Sequence, residues 1–229
     1  MRTCGELFVI STPIGNLADI TLRAIDTLKL CDLVACEDTR NTRILFDHFK
    51  IETKLISYHE HNEMSRAREI VTWIKDGMKI GLVSDAGTPT ISDPGFRVVR
   101  ECRRNGIEIT PIPGASAFLA ALSIAGLPTN SFLFLGFFPM KSVGRIKMFD
   151  KYKGIDVTIL GYESCHRISK TLNDMLYVFG PERVISISQE MTKLHEFTFV
   201  GSIVEATERF TDEQRGEFVI VIAPKDYSL

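Results

Sequence analysis

The sequence predicts an α/β protein of two domains, with a mainly parallel sheet in the first and a mixed sheet in the second. Three observations predict it. Short apolar runs alternate with segments of helical periodicity through the first 125 or so residues, the signature of a parallel sheet. Nearly every apolar run of that half is followed by a loop rich in Gly, Pro or polar side chains. In the second half two apolar runs lie only seven residues apart, which predicts a hairpin and therefore antiparallel pairing.

The first strand is "ELFVIS" (6–11), followed by a helix with Leu22, Ile25 and Leu28 on one face. "LVAC" (33–36) precedes the helical "TRILFDHF". "KLISY" (54–58) precedes "SRAREIVTWIKDG", where Ala67, Ile70, Val71 and Ile74 recur at helical spacing and Gly77 ends the helix. "KIGLVS" (79–84) runs into "SDAGTPTISDPG" and then "FRVVRECRRNG", closed by Gly106. "IEITPI" (107–112) leads to "PGASAFLAALSIAG". Beyond it, strands are predicted at 132–138, 157–162, 183–188, 196–201 and 217–223. Helices are predicted near 166–179 and 202–209. The change of texture near 113–126 sets the domains at 1–116 and 117–229.

Composition narrows the function classes. Among 229 residues, 45% are hydrophobic and 24% charged, as in ordinary globular proteins, and the formal net charge is −2. That charge argues against coating nucleic acid through bulk positive potential, though not against a local basic patch. No apolar run approaches the roughly 20 residues that span a bilayer. The N-terminal "MRTCGELFVISTP" lacks the long apolar region and small-residue cleavage site of a signal peptide, so the expectation is a cytoplasmic protein with no membrane partner. The five cysteines (Cys4, Cys31, Cys36, Cys102, Cys165) form no Cys-x-x-Cys pair and read as reduced, packed thiols.

In an open parallel sheet, ligands bind outside the carboxyl ends of the strands. The loops there are "STPIGN", "EDTR", "HEHNE", "SDAGTPTISDPG" and "PGAS". Twelve residues of the fourth hold two each of Gly, Pro, Asp, Ser and Thr. Prolines limit such a loop's freedom, so it loses less entropy on binding. Glycines admit close backbone approach or positive φ. Asp85 can accept hydrogen bonds from ligand hydroxyls or an amine. There is no G-x-G-x-x-G, P-loop, H-E-x-x-H or G-x-S-x-G motif. The residues alone predict a small-ligand site on an α/β scaffold and no further.

Taken in order, "TPIGNLADITLRAI", "EDTRNTRIL", "YHEHNE", "LVSDAGTPTISDPG", "PIPGASA", "GFFPMK", "YESCHRI", "QEMTK" and "RGEFVIVI" span nearly the whole chain. Together they resemble the ribosomal branch of the tetrapyrrole (corrin/porphyrin) methylase family. The resemblance implies two α/β domains of the tetrapyrrole methylase type with a cofactor cleft between them, the cofactor S-adenosylmethionine, and a homodimer. It implies methylation of the ribose 2′-hydroxyl of a cytidine in small-subunit (16S) rRNA near the decoding centre, on a partly or fully assembled subunit. Matching motifs assign Pro13, Asp85, Gly87, Thr88, Ser116, Ala117, Tyr162 and Met191 to the cofactor. The sequence departs from the family pattern at Ala115, Gln189 and Arg215. Two rival readings remain at this stage: a small-molecule (tetrapyrrole) methylase, or a non-catalytic module that binds S-adenosylmethionine and RNA. The same family includes diphthine synthase.

A ribose hydroxyl is a weak nucleophile, and a base or a cation would assist it. Glu37, His61 and Lys193 are the catalytic candidates, with Glu37–Arg40 a possible structural ion pair instead. His59 and His61 alternate, which in a strand end would point them the same way. That is also metal-like spacing, but no third ligand is evident and no metal is expected. For RNA contact the candidates are Arg40, His59, Lys141, Arg145 and Arg167.

Overall fold

The computed structural model describes residues 5–211 and 214–229, so the reading of Cys4 lies outside the described residues. The chain divides into two compact units, Met1–Ser116 and Ala117–Leu229.

The first unit holds β1 (Glu6–Ile10), a 3₁₀ turn (Leu17–Asp19), α1 (Leu22–Leu30), β2 (Leu33–Cys36), α2 (Thr39–Phe49), β3 (Lys54–Ser57), α3 (Glu63–Lys75), β4 (Lys79–Leu82), α4 (Phe96–Arg104) and β5 (Ile109–Ile112). The sheet runs β3-β2-β4-β1-β5, and every pairing is parallel. Alternation along β1 builds two cores. Leu7 packs with α3 and α4 through Ile70, Ile74, Val98 and Cys102 on one face. Phe8 and Ile10 pack with α1 and α2 through Ala24, Leu28, Leu45 and Phe46 on the other. Gly81 in β4 lets that second face close, since a Cβ there would lie 3.1 Å from Val34 and 3.2 Å from Ile10. Pro111 sits in the edge strand β5, the position where a missing N–H costs least.

The face expected on α1 holds in part. Leu28 is buried and Ile25 packs against the same core, but Leu22 is 81% exposed, and Ala24 and Thr27 are buried beside Leu28. Thr27 can sit inward because its hydroxyl donates to the Arg23 carbonyl within the helix, whose start Thr21 caps by accepting from the Ala24 N–H (3.1 Å).

The second unit holds α5 (Ala117–Ile124), β6 (Phe132–Phe137), α6 (Ser142–Tyr152), β7 (Thr158–Ser164), α7 (Ile168–Phe179), β8 (Val184–Gln189), β9 (Phe197–Ser202), α8 (Ile203–Arg209) and β10 (Glu217–Ile222). Its sheet runs β6-β7-β10-β8-β9. Only β6–β7 is parallel; β7–β10, β10–β8 and the β8–β9 hairpin are antiparallel, so the sheet is mixed. Phe149, Ile168, Leu172, Met175, Ile203 and Phe210 from α6, α7, α8 and the end of α8 cover one face of it, while α5 packs on β7 and β10. Among the described residues no helix is long and apolar enough to cross a membrane.

Candidate functional site

Because all five strands of the first unit are parallel, their following loops emerge at one edge. Neighbouring β1 and β4 send their outgoing connections in opposite directions, β1 toward β2 and β4 toward β5. That is the switch point where loops part and ligands bind in open α/β sheets.

Hydrogen bonds lock these loops to one another. Thr12 and Gly87 exchange backbone hydrogen bonds (2.9 and 3.1 Å), and the hydroxyls of Ser11 and Thr88 lie 2.8 Å apart. The Thr12 hydroxyl donates to the Ser84 carbonyl (3.2 Å). The Asp85 carboxylate accepts from the Asp38 N–H (3.0 Å) and from Asn41 Nδ2 (2.9 Å), joining the loop after β4 to the start of α2. A Cβ on Gly114 would stand 3.0 Å from the Ser11 Cβ, so the loop after β5 also closes on the loop after β1.

The loop after β4 is built under backbone constraint. Gly87 lies at φ +77°, and Thr90 and Ser92 have positive φ despite carrying side chains (76° and 63°). Such conformations cost roughly 1–3 kcal/mol each and cluster at ligand-binding segments. Gly95 is required for closeness, since a Cβ there would sit 2.8 Å from the Thr90 methyl.

Pro13 and Gly87 are buried, Thr88 and Ser116 half-buried, and Asp85 exposed. Asp85 was expected to accept hydrogen bonds from a ligand. It holds the loops together as well, and its oxygens keep lone pairs for a second acceptor role. Sequence reasoning missed Ser11, Thr12, Asp38 and Asn41. The signal available was the Asx cap: the Asp38 side chain caps α2 by accepting from the Arg40 N–H (2.8 Å).

Glu37 sits half-buried just past β2. Burial, with the negative charges of Asp85 and Glu60, raises its pKa above the ordinary carboxylate value, and His59 only partly offsets this. Its expected partner Arg40 goes elsewhere. Arg40 bonds Asp38 (2.6 Å), and that hydrogen bond holds the Asp38 carboxyl down at about 2. His59 and His61 lie beyond the end of β3, in the turn after Tyr58, with ring centroids 5.9 Å apart. Strand alternation therefore does not govern them. Asn62 holds His59: its Oδ1 accepts from the His59 N–H (2.9 Å), and its Nδ2 lies 3.3 Å from His59 Nε2 and donates toward the Ser57 carbonyl (3.2 Å). His59 Nδ1 is a buried atom with no partner. Among the described residues no group of three His, Cys, Asp or Glu side chains is placed to hold a metal.

In the second unit, Tyr162 lies on β7 with its ring against Phe134 (5.1 Å) and Phe137 (5.4 Å). Met191 is buried in the β8–β9 connection. Glu190 and Thr192 on either side of it have positive φ (51° and 67°). Lys193 bonds Glu190 (2.8 Å) and Glu217 (3.1 Å). Burial would lower the Lys193 pKa, but these carboxylates outweigh it and raise it. Burial likewise works against the Glu190 carboxylate, and Lys193 with the Glu217 N–H brings its pKa down. Two departures from the family pattern meet here, where Gln189 Nε2 donates to the Arg215 carbonyl (2.7 Å).

Two expected RNA contacts need correction. Arg145 is 3% exposed; its guanidinium bonds Asp174 (2.7 Å) and the carbonyls of Pro139 and Met140. Arg167 bonds the buried Glu163 (2.6 Å) and the Phe138 carbonyl (3.2 Å). Arg145 is structural, since a guanidinium buried that deeply persists only with such partners; Arg167, half-buried, is committed to Glu163 and the Phe138 carbonyl. Lys141 and Arg40 are exposed.

This scaffold, with its rim of constrained loops, is that of a methylase, and the chain belongs to the tetrapyrrole (corrin/porphyrin) methylase family, whose pattern matches residues 6–207. Its relatives include the ribosomal RNA small subunit methyltransferase I of Escherichia coli O157:H7, 42% identical over 95% of this chain and 77% of that one. The protein of the same name from Halalkalibacterium halodurans is 45% identical over 95% of this chain and 75% of its own. Among solved structures, uroporphyrin-III C-methyl transferase from Thermus thermophilus, complexed with S-adenosyl homocysteine, shares the fold. Its TM-score is 0.66 at 16% identity, covering 95% of this chain and 97% of that one.

Proposed function

We propose that the protein transfers a methyl group from S-adenosylmethionine to the ribose 2′-hydroxyl of a cytidine in 16S rRNA near the decoding centre. The observation that carries this reading is the 42–45% identity, over 95% of the chain, to proteins named ribosomal RNA small subunit methyltransferase I. The 16% identity to the uroporphyrin enzyme gives a tetrapyrrole acceptor no comparable support.

The methyl donor is S-adenosylmethionine, and the donor set of the first unit's rim fits it. Asp85 offers carboxylate lone pairs to ribose hydroxyls or an ammonium, and the hydroxyls of Thr88 and Ser116, with the backbone amides of constrained loops, suit polar groups of the opposite kind. Pro13, Asp85, Gly87, Thr88 and Ser116 would hold it, with Ala117, Tyr162 and Met191 as further contacts. When bound, it would supply an electrophilic methyl on a sulfonium, transferable to the acceptor oxygen with the thioether sulfur of S-adenosylhomocysteine as the leaving group. Positioning supplies much of the rate.

The chain's own part is to take the hydroxyl proton. Glu37, raised by burial and by Asp85 and Glu60, is a stronger base than an ordinary carboxylate. His61 is the second candidate base. Lys193, kept cationic by Glu190 and Glu217, would stabilise the developing alkoxide or a phosphate. Arg40, His59 and Lys141 are proposed for RNA contact. The domains are taken as 1–116 and 117–229, the working form as a homodimer, the substrate as a partly or fully assembled small subunit, and the location as cytoplasmic.

Tritiated S-adenosylmethionine, incubated with purified small ribosomal subunits from a strain lacking the gene, tests this. Label on a cytidine 2′-oxygen is expected. Absence of label, with S-adenosylmethionine binding intact, overturns the rRNA assignment.

A further inference from the structure

The two corrected arginines act on one segment. Between β6 and α6 the chain turns three successive carbonyls inward: Phe138 to Arg167 (3.2 Å), then Pro139 (3.1 Å) and Met140 (2.9 Å) to Arg145. Each guanidinium is itself anchored by a carboxylate, Arg167 by Glu163 and Arg145 by Asp174. Asp174 also accepts from the Ser142 hydroxyl (2.7 Å), and a Cβ on Gly144 would lie 3.2 Å from the Pro139 Cβ. The loop is thus pinned from inside at Phe138, Pro139, Met140 and Ser142.

Its outward face is unusual for a pinned loop. Met140 is 82% exposed and Val143 80%, with the Lys141 side chain between them in sequence and Lys147 exposed one helical turn on. Just before the loop, the β6–β7 register shifts between Phe134 and Phe137, and Gly136 at φ +66° leaves Phe137 55% exposed. A bulge re-aims a side chain in this way beside functional segments. The acidic groups anchored behind the loop, Asp174 and Glu163, are paired with Arg145 and Arg167, so the loop presents large apolar side chains beside Lys141 and Lys147.

We propose that residues 137–143 form a preorganised RNA-reading finger, in which Met140 and Val143 pack against unstacked bases and Lys141 pairs with a phosphate, while Arg145 and Arg167 are positioning residues that hold the finger rigid. The proposal rests on the rRNA reading above. RNA is the occupant because its unpaired segments offer both features the finger matches: apolar base faces for exposed apolar side chains and phosphates for lysine. Withdrawal of the three carbonyls removes acceptors that would repel a phosphate backbone. Rigidity lowers the ordering cost of binding.

The test uses the full chain, S-adenosylmethionine and small ribosomal subunits. For Met140→Ser, KM for subunits should rise about fivefold or more, with kcat and S-adenosylmethionine affinity unchanged. For Lys141→Gln, the slope of log affinity against log salt should fall by about one, while Met140→Ser leaves that slope as it is. The positioning role is read separately. In the wild type, trypsin should cut slowly after Lys141. Arg167→Lys, which keeps a cation beside Glu163, should cut faster there and share the KM defect. Unchanged KM in both Met140→Ser and Lys141→Gln, with the wild type active on subunits, overturns the finger and leaves the rRNA reading standing. A wild type that does not methylate subunits overturns that reading first. Loss of self-association in Met140→Ser, or binding of the wild type but not Met140→Ser to anionic lipid vesicles, would reassign the face to a second copy or a membrane and overturn the proposal.

Discussion

Replacing Asp174 by Leu removes one partner of a buried ion pair and strands the other. The Arg145 side chain is 3% exposed and that of Asp174 13%, so solvent screening does little to soften the loss. Breaking such a pair costs roughly 3–5 kcal/mol, mostly because an uncompensated guanidinium stays in a low-dielectric site. With a urea m-value of about 2 kcal/mol/M, the unfolding midpoint of the second unit should drop by about 2 M. The double variant Arg145→Met/Asp174→Leu removes both charges and keeps comparable volume, so most of the lost stability should return. In the double variant the Pro139 and Met140 carbonyls lose their donor, so tryptic cleavage after Lys141 should be fast there even as stability returns. The measurement is urea unfolding followed by far-UV circular dichroism. The single tryptophan, Trp73 in α3, gives a fluorescence signal from the first unit for comparison. A midpoint shift below about 0.3 M for Asp174→Leu would refute the assignment of Arg145 as a buried, charge-dependent anchor. So would a double variant no more stable than the single one.

Glu37→Gln should lower kcat by about 10²–10⁴-fold with S-adenosylmethionine affinity retained, measured by single-turnover methyl transfer. Because the Glu37 pKa is raised and the base works ionised, activity should climb with pH through a range above that of an ordinary carboxylate; Glu60→Gln, removing one of the charges that raises it, should move that limb to lower pH. Gly87→Ala places a side chain at φ +77° and should weaken S-adenosylmethionine binding, as read by calorimetry, by about fivefold or more; an unchanged affinity would remove this loop from the site. Burial pushes the Cys31 thiol up to about 12 and that of Cys102 to about 11, so neither should react with a disulfide reagent at pH 8 until the protein is unfolded.

The alternation of apolar runs with helical periods already determined two α/β units, a parallel sheet in the first and a mixed one in the second. Parallel order follows because each crossover needs its helix, and the seven-residue gap before β9 is too short for one. The loops after β1, β2, β4 and β5 were legible too, because Gly, Pro and Asp mark turns by backbone constraints that are local. Partners were not legible. That Asp85 ties itself to Asn41, that Arg40 takes Asp38 and not Glu37, and that α1 turns Ala24 and Thr27 inward while Leu22 faces water are choices among neighbours remote in sequence or equal in local preference. The clearest case is Arg145. In sequence it stands among lysines and looks like an RNA contact. Only the tertiary structure lays α6 against α7, bringing Asp174 to it across 29 positions, and a buried guanidinium can persist only where such a carboxylate meets it.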